Sequence, residues 1–269
     1  MRTALTIAGS DSGAGAGIQA DLKTFAAHGV YGLSAITAVT AQNSLGVTMA
    51  HALSADIVTA QIEAVVSDFG VHAAKTGMLA NAAIVEAVSA AVRDLDIPLL
   101  VVDPVMLAKS GDRLLDEEAL AALKTELVPQ AFVVTPNIPE AEALTNIEIR
   151  TDEDRKEAAR RIVEMGASAV VIKGGHFPSD DIRDLLLCEG TFEEFRQSRV
   201  AGRHTHGTGC TFAAAITAHL SHGHDLRTAV QGAQRYVAEA IHHAPGIGRG
   251  HGPLGHFFKF KVQSSKGQS

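Results

Sequence analysis

Tryptophan is absent from the 269 residues, tyrosine occurs twice, and aromatic side chains make up only 4% of the chain. With so few large rings, the core has to be built from Ala, Val, Leu and Ile, as in a parallel sheet covered on both faces by helices. Cysteine is nearly absent too. Cys188 and Cys210 form neither a disulfide framework nor a metal-type spacing. There is no surplus of positive charge. The net charge of −7 argues against a nucleic-acid or anionic-membrane surface, either of which calls for a basic stripe. It leaves room for a phosphorylated ligand, because backbone N–H groups and one or two lysines hold phosphate locally. No apolar run approaches a membrane span, and the one between Met1 and Gly9 is too short for a signal peptide. The expectation is a soluble cytoplasmic protein with no nucleic-acid partner and no membrane. Internal repeats and long linkers are missing as well, so a single domain is expected over residues 1–260. A polar tail follows at 261–269.

What the chain does have is alternation. Short apolar runs such as Ala4–Ala8, Ala35–Thr40, Ala73–Thr76, Leu99–Val102, Ala131–Val134 and Ser168–Ile172 read as buried strands. Between them lie helical stretches: Ile18 to Ala27, a helix capped by Ser54 through Phe69, one capped by Asn81 to about Asp94, and one capped by Asp116 through Leu127. Thr151 to Met165 is a helix with a charged face. Asp184–Cys188 and Thr191–Ser198 read as a hairpin about Glu189-Gly190, and a last helix runs from Asp225 to about His242. Strand and helix in turn predict an α/β fold with a mostly parallel central sheet and helices on both faces. The active loops then gather at one end of the sheet.

The densest motif is His206-Gly207-Thr208-Gly209-Cys210-Thr211, which runs into Phe212–Leu220. Two glycines let the chain turn tightly, and the helix that follows presents unpaired N–H groups and its positive dipole end. Together they make an anion site suited to phosphate. Cys210 sits where a thiol's pKa is expected to fall, which offers a candidate base for phosphoryl transfer. The competing reading is a plain loop before a core helix.

Other residues carry chemistry by type and place. Asn137 and Glu140 stand three apart where a strand gives way to a helix. Their oxygens suit Mg2+, usually through waters and phosphates; equally, Asn137 can be a helix-start residue with a solvated Glu140 beside the dipole. Lys173 ends an apolar strand, at the rim where an ammonium neutralises a transferring phosphate. The stretch Val105–Asp112, with Lys109-Ser110-Gly111, reads as a flap. The glycines at 13, 15 and 17 do not match the dinucleotide fingerprint or a P-loop, which argues against a nicotinamide or flavin reading and leaves the loop free to wrap a small ligand. The thirteen histidines lack a zincin spacing, and Cys188 reads as core.

Taken in order, several of these motifs resemble one family. Ala8–Phe25, Thr37–Asn43, Lys75-Thr76-Gly77-Met78, Asp103-Pro104-Val105-Met106, Ala108–Gly111, Thr135–Glu140, Lys173-Gly174-Gly175-His176 and Gly207–Cys210 are similar to the hydroxymethylpyrimidine/phosphomethylpyrimidine kinases of thiamine biosynthesis. The resemblance spans nearly the whole chain up to Gly252-Pro253-Leu254. It implies a ribokinase-like fold, ATP and Mg2+ as cofactors, and a homodimer. It also implies phosphorylation of 4-amino-5-hydroxymethyl-2-methylpyrimidine and then of its monophosphate. On this resemblance Gln42 bonds the aminopyrimidine, with Gly9, Asp21, Met78 and Val105 around the ring. Gly207, Thr208 and Gly209 form the anion hole, and Cys210 takes the base position, where sugar-kinase relatives carry Asp. Lys173 contacts the ATP phosphates with Asn137, Thr208 and Gly209, while Glu140, Asn137 and Asp103 organise the metal. His204-Thr205-His206 is then read as structural.

Gln42 as an amide suits an aminopyrimidine, since it offers both a donor and an acceptor. The alternative within the fold is a pyridoxal or pyridoxine kinase, as main or side activity. A sugar kinase fits less well, because Cys210 stands in place of Asp. A non-catalytic binding domain is opposed by the retention of Lys173, Asn137, Glu140 and the whole Gly207–Cys210 turn.

Overall fold

A computed structural model of the chain describes residues 1–106, 115–175, 181–200 and 202–260. The strands are β1 (Thr3–Asp11), β2 (Tyr31–Asn43), β3 (Gly46–Ala52), β4 (Ala73–Thr76), β5 (Leu100–Val102), β6 (Val133–Val134), β7 (Ala169–Ile172), β8 (Asp181–Cys188) and β9 (Thr191–Ser198). The helices are α1 (Gly17–Ala27), α2 (Ala55–Phe69), α3 (Ala82–Asp94), α4 (Glu117–Ala122), α5 (Ile138–Thr145), α6 (Asp152–Glu164), α7 (Thr208–Ser221) and α8 (Leu226–His242). All nine strands join one sheet in the order β3-β2-β1-β4-β5-β6-β7-β8-β9. The six central strands run parallel, and β3, β8 and β9 close the two edges antiparallel.

The two faces of the sheet are sorted by residue parity, because successive side chains on a strand point opposite ways. Leu5, Ile7, Leu100, Val102, Val134, Val170 and Ile172 pack beneath the helices α2 to α6. Val101, Val133, Ala169 and Val171 pack on the other face against α7 and α8, and Ala4 meets Phe25 of α1. Nearly every contributor is Ala, Val, Leu or Ile, as the shortage of aromatic residues requires.

Helix starts follow the local chemistry. Asn81 Oδ1 accepts from Ile84 N at 3.0 Å, Asp116 Oδ1 from Ala119 N at 2.7 Å, and Asp225 Oδ1 from Thr228 N at 2.8 Å. Three sequence expectations need correction. Ser54 stands at the N-cap of α2 but makes no capping bond through its side chain, and Asp56 in the first turn supplies the favourable charge. The helix expected through Leu127 ends as α-helix at Ala122 and widens into a π turn over Leu123–Leu127 before Pro129, which has no N–H to donate. Strand β3 was not anticipated. It lies on the sheet edge with its last five residues exposed, so its apolar residues do not line a buried face.

Sheet topology decides where chemistry can occur. The carboxyl ends of the parallel strands all open toward one side, and ligands of open α/β sheets bind there. Asp11, Gln42, Met78, Asp103, Asn137 and Lys173 lie at or just beyond the ends of β1, β2, β4, β5, β6 and β7 respectively.

Candidate active site

A cavity of about 940 Å3 runs along these strand ends. Gly9, Gln42, Met78 and Val105 line it on the β2–β1–β4 side, and Ile182, Val200, Val237 and Ile241 line it on the β8–α8 side. Between them lie Asp103, Asn137, Glu140, Lys173 and the turn Gly207–Cys210. Of the residues singled out in the sequence, only Asp21 is missing from the wall.

The turn is built as its sequence suggests. Gly207 has φ +83° and N-caps α7, and a Cβ there would sit 1.8 Å from the Gly15 carbonyl oxygen, so no other residue fits without moving a backbone. Thr208 Oγ1 donates to Thr205 O at 2.7 Å, which ties the first helical residue back to the turn. The next N–H groups open the helix toward the cavity with its positive dipole end.

Lys173 joins the turn to the acidic residues. Its backbone N donates to Pro136 O at 2.8 Å, and its Nζ donates to Asp103 Oδ1 at 2.9 Å and lies 3.8 Å from Glu140 Oε2. The same Nζ lies 3.4 Å from where a Cβ on Gly209 would stand, so the ammonium borders the anion turn. Burial works against the Lys173 charge, but Asp103 and Glu140 outweigh it and hold the group above the usual lysine range.

Asn137 and Glu140 satisfy both readings of their spacing. They form a reciprocal capping box on α5: Asn137 Oδ1 accepts from Glu140 N at 2.9 Å, and Glu140 Oε2 accepts from Asn137 N at 2.7 Å. Yet Glu140 is buried rather than solvated, and it faces Lys173 and Asp103. Burial pushes its carboxyl well above the usual carboxylate range; Lys173 opposes that shift and Asp103 adds to it. A pair of close carboxylates short of positive charge is what a hard divalent cation relieves, and oxygen donors of this kind suit Mg2+. The donor set therefore fits the metal. Asn137 is already engaged as a cap, which leaves Asp103 and Glu140 as its main holders.

Cys210 corrects an expectation. The helix start was expected to lower its pKa; instead burial raises the thiol to about 11. Lys75 pulls in the other direction, Asp21 and Asp103 add to the rise, and a bond from Gly17 N–H to the sulfur lowers it slightly. Withdrawal from water outweighs the dipole. At neutral pH this residue is a thiol.

Asp21 lies behind the wall. It is fully buried, with its Oδ2 accepting from Thr6 Oγ1 at 2.6 Å and from Lys75 Nζ at 3.0 Å. Burial raises its pKa despite Lys75, and the same pairing keeps Lys75 above the usual lysine range. Its charge reaches Cys210 without lining the cavity.

Four polar residues on the wall had gone unnoticed as site groups. His206 Nε2 lies 2.9 Å from Asp11 Oδ2 and 3.2 Å from Gln42 Nε2, so a residue read as structural touches the pyrimidine-binding candidate. Asp184 accepts from Gly174 N at 2.8 Å and from Gln234 Nε2 at 2.6 Å, which pins the turn after Lys173. Asp11 and His206 stood inside the motifs already noted. Asp184 and Gln234 gave no signal, because only the fold brings them together. The expected flap is described only at Val105 and Met106, and residues 107–112 lie outside the described residues, as do His176 and the tail 261–269.

Comparison with known proteins adds an independent observation. The family model for phosphomethylpyrimidine kinase matches residues 11–255. The hydroxymethylpyrimidine/phosphomethylpyrimidine kinase of Bacillus subtilis is 51% identical over 255 residues, covering 94% of each chain. Among solved structures, a phosphomethylpyrimidine kinase from Clostridium difficile superposes with a TM-score of 0.81 at 42% identity, covering 90% of this chain and all of that one. The pyridoxal kinase of Bacillus subtilis in complex with ADP gives 0.89 at 38% identity, covering 96% and 98%.

Proposed function

This chain belongs to the phosphomethylpyrimidine kinase family, and from that premise we propose that its cavity carries out two successive phosphoryl transfers from ATP. The first acceptor is the hydroxyl of 4-amino-5-hydroxymethyl-2-methylpyrimidine; the second is the resulting monophosphate, and the diphosphate feeds thiamine biosynthesis. One observation carries this reading. The N-terminus of α7, Lys173 and Gln42 open onto a single cavity, so an anion hole, a cation and an amide suited to an aminopyrimidine face one another.

In this assignment Gln42 holds the pyrimidine edge, with Gly9, Met78 and Val105 around the ring and Asp21 acting from behind. Asp184 steadies the Gly174 turn beside the nucleotide. The transferring group lies against Gly207, Thr208 and Gly209, and Lys173 neutralises it. Asn137, Thr208 and Gly209 complete the phosphate contacts of ATP. Asp103 and Glu140, backed by Asn137, would hold Mg2+ partly through water. When bound, the metal neutralises charge on the nucleotide phosphates.

Cys210 takes the base position as a neutral thiol. A loose phosphoryl-transfer transition state asks little of a base, so the hydroxyl proton can leave late, to an oxygen of the transferring phosphoryl group or to water. The neutral thiol, which cannot take up a second proton, stands beside the hydroxyl as a weak hydrogen-bond partner. The monophosphate oxygen already lacks its proton, and the second step needs no base at all. A neutral group beside that dianion also avoids the repulsion a carboxylate would exert.

Pyridoxal phosphorylation is a second reading, as a side activity, favoured by the close likeness of the fold to pyridoxal kinases. In the proposed form the chain is one kinase domain over 1–260, cytoplasmic and a homodimer. Exposed Val39, Leu45 and Met49 around the edge strand β3 are the apolar surface that pairing of two copies would cover. Sedimentation of the purified chain tests the dimer.

The activity test is an ADP-release assay with ATP and Mg2+, run in parallel on the hydroxymethylpyrimidine, its monophosphate and pyridoxal. Turnover of both pyrimidines with little on pyridoxal is expected. Turnover of pyridoxal alone would move the same machinery to a pyridine substrate, and silence on all three would overturn the assignment.

A further inference from the structure

The hydrogen-bond pattern that Gln42 shows to a substrate depends on which way its amide is turned, and the groups around it settle that orientation. Asp11 is buried at the end of β1. Its carboxylate accepts from Gly13 N at 2.8 Å, Gly15 N at 3.0 Å, Ala16 N at 2.8 Å and His206 Nε2 at 2.9 Å. A carboxylate with three N–H donors takes a proton from the fourth neighbour as well, so Nε2 of His206 carries the hydrogen. The ring packs against Gly15, and the main chain that carries it is fixed. A Cβ on Gly15 would lie 2.3 Å from His206 Cδ2, and His206 N donates to Gly252 O at 3.2 Å.

An Nε2–H that faces Asp11 cannot accept a bond from the Gln42 amide 3.2 Å away. Counting protons leaves one arrangement. The Gln42 carbonyl oxygen turns toward His206, and its NH2 turns toward Thr40 Oγ1, which lies 3.1 Å from the other end of the amide. Thr40 Oγ1 spends its own proton on Ser10 O at 2.9 Å and so is free to accept. Every donor of this network except the second Gln42 N–H, which faces the cavity, then has an acceptor. Amide ends are exchangeable on geometry alone and are assigned by such networks.

We propose that His206, held by Asp11, is a positioning residue that locks the Gln42 amide and thereby selects the substrate ring. This rests on the assignment of Gln42 to the pyrimidine edge. In the locked orientation Gln42 keeps one N–H and one carbonyl lone pair for the cavity. A ring nitrogen beside an exocyclic amino group matches that pair, an acceptor and a donor side by side. The pyridoxal ring has no amino group next to its nitrogen and fills only half of it.

The test is a binding cycle measured by calorimetry on the whole protein with a non-hydrolysable ATP analogue present. The ligands are the hydroxymethylpyrimidine and the same molecule lacking its 4-amino group. In the wild type, loss of the amino group is expected to weaken binding about tenfold or more. In His206→Leu the amino group should be worth less than about threefold, with affinity for the ATP analogue unchanged. His206→Gln, whose amide can still donate to Asp11, should restore most of the preference. Full preference in His206→Leu, or an equal loss of affinity for both pyrimidines, overturns the inference. If His206→Leu fails to fold, Thr40→Val reads the other end of the lock: a reduced preference supports it and an unchanged one refutes it. A wild type that binds both pyrimidines equally overturns this inference alone, whereas one that binds neither overturns the assignment of the site, and the inference falls with it.

Discussion

Replacing Cys210 by Asp separates the two phosphoryl transfers. With its pKa raised to about 11, the native group is a thiolate in roughly one molecule in 3,000 at pH 7.5. Asp puts a full negative charge at the same place. Burial there would raise an Asp as it raises the thiol, but from so low a starting value that it stays ionised at pH 8. A unit charge about 5 Å from another costs about 3 kcal/mol at an effective dielectric constant of about 20. Lys75 and Lys173 lie close enough to cancel part of this. A residue of about 1.4 to 3 kcal/mol corresponds to a 10- to 100-fold penalty on the dianionic acceptor. The neutral hydroxymethyl acceptor escapes that repulsion and gains a carboxylate base that the neutral thiol does not supply. The assay follows ADP release at pH 8 with each acceptor supplied separately, in Cys210→Asp and in Cys210→Ser as the neutral control. The ratio of kcat/KM for monophosphate over hydroxymethylpyrimidine should fall at least tenfold in the Asp variant and stay within about threefold in the Ser variant. Lowering the pH toward 6 should recover part of the ratio as the Asp takes up a proton. If the second phosphorylation survives in Cys210→Asp as well as the first, the charge argument is wrong.

Gly207→Ala should abolish turnover and lower the melting temperature together, because the Cβ would collide with the Gly15 carbonyl and the residue holds φ +83°; unchanged melting with normal kcat would refute the close approach. Glu140→Gln keeps an acceptor for the capping box, so stability should move by less than about 1 kcal/mol while the Mg2+ needed for half-maximal rate rises about tenfold or more; an unaltered Mg2+ titration would remove Glu140 from the metal site. His256 is 1% exposed with no partner for Nε2 among the described residues, and burial, helped by Lys23, lowers its pKa to about 4. The unfolded chain then binds the proton first, so stability from this group is complete above the unfolded value of 6.5 and is lost as pH falls toward 4. His256→Asn, which keeps a partner for Tyr236, should gain about 3 kcal/mol on the wild type between pH 7 and pH 4 in urea unfolding; parallel curves for the two proteins would contradict the shift.

Much of the fold was legible because the residues that build it act locally. Strands β5 and β7 are short runs of buried aliphatics, β1 carries buried Ala, Leu and Ile and β4 buried Ala beside polar residues, and Asn81, Asp116 and Thr151 stand at the starts of the helices that follow them. Edge strand β3 was not legible, since an exposed strand needs no apolar alternation. The tight turn before α7 was legible from its glycines, and the place of Lys173 at the strand-end rim from the apolar strand before it. The charge state of Cys210 was not. The helix dipole can be seen in sequence, but the burial that raises the thiol is set by tertiary packing, which also brings in the opposing effects of Lys75 and Gly17 and the added rise from Asp21 and Asp103. The same holds for Asp21. Its motif places it among the substrate residues, while its partners Thr6 and Lys75 set it behind the wall.

The raised thiol bears on why a site of this kind serves two acceptors. A kinase for alcohols alone gains from a strong base, since every turnover must dispose of a hydroxyl proton. A site that then accepts a phosphate meets the opposite demand, because the base that helped the first step repels the second substrate. In the proposed assignment Cys210 favours the second demand: withdrawn from water it stays neutral when the dianion is present, and it gives up the strong base that the first step would gain from. In the same proposed assignment the positive charge that both steps need comes instead from Lys173 and the start of α7, which are fixed by Asp103, Glu140 and the backbone and need not change between the two reactions. On this argument the discriminating element is not the phosphate-facing Gly207–Cys210 turn itself. It is the Gln42 side of the cavity, where His206, immediately before that turn, and Asp11 bear on Gln42, and that is where substitutions should alter which ring is phosphorylated without altering how.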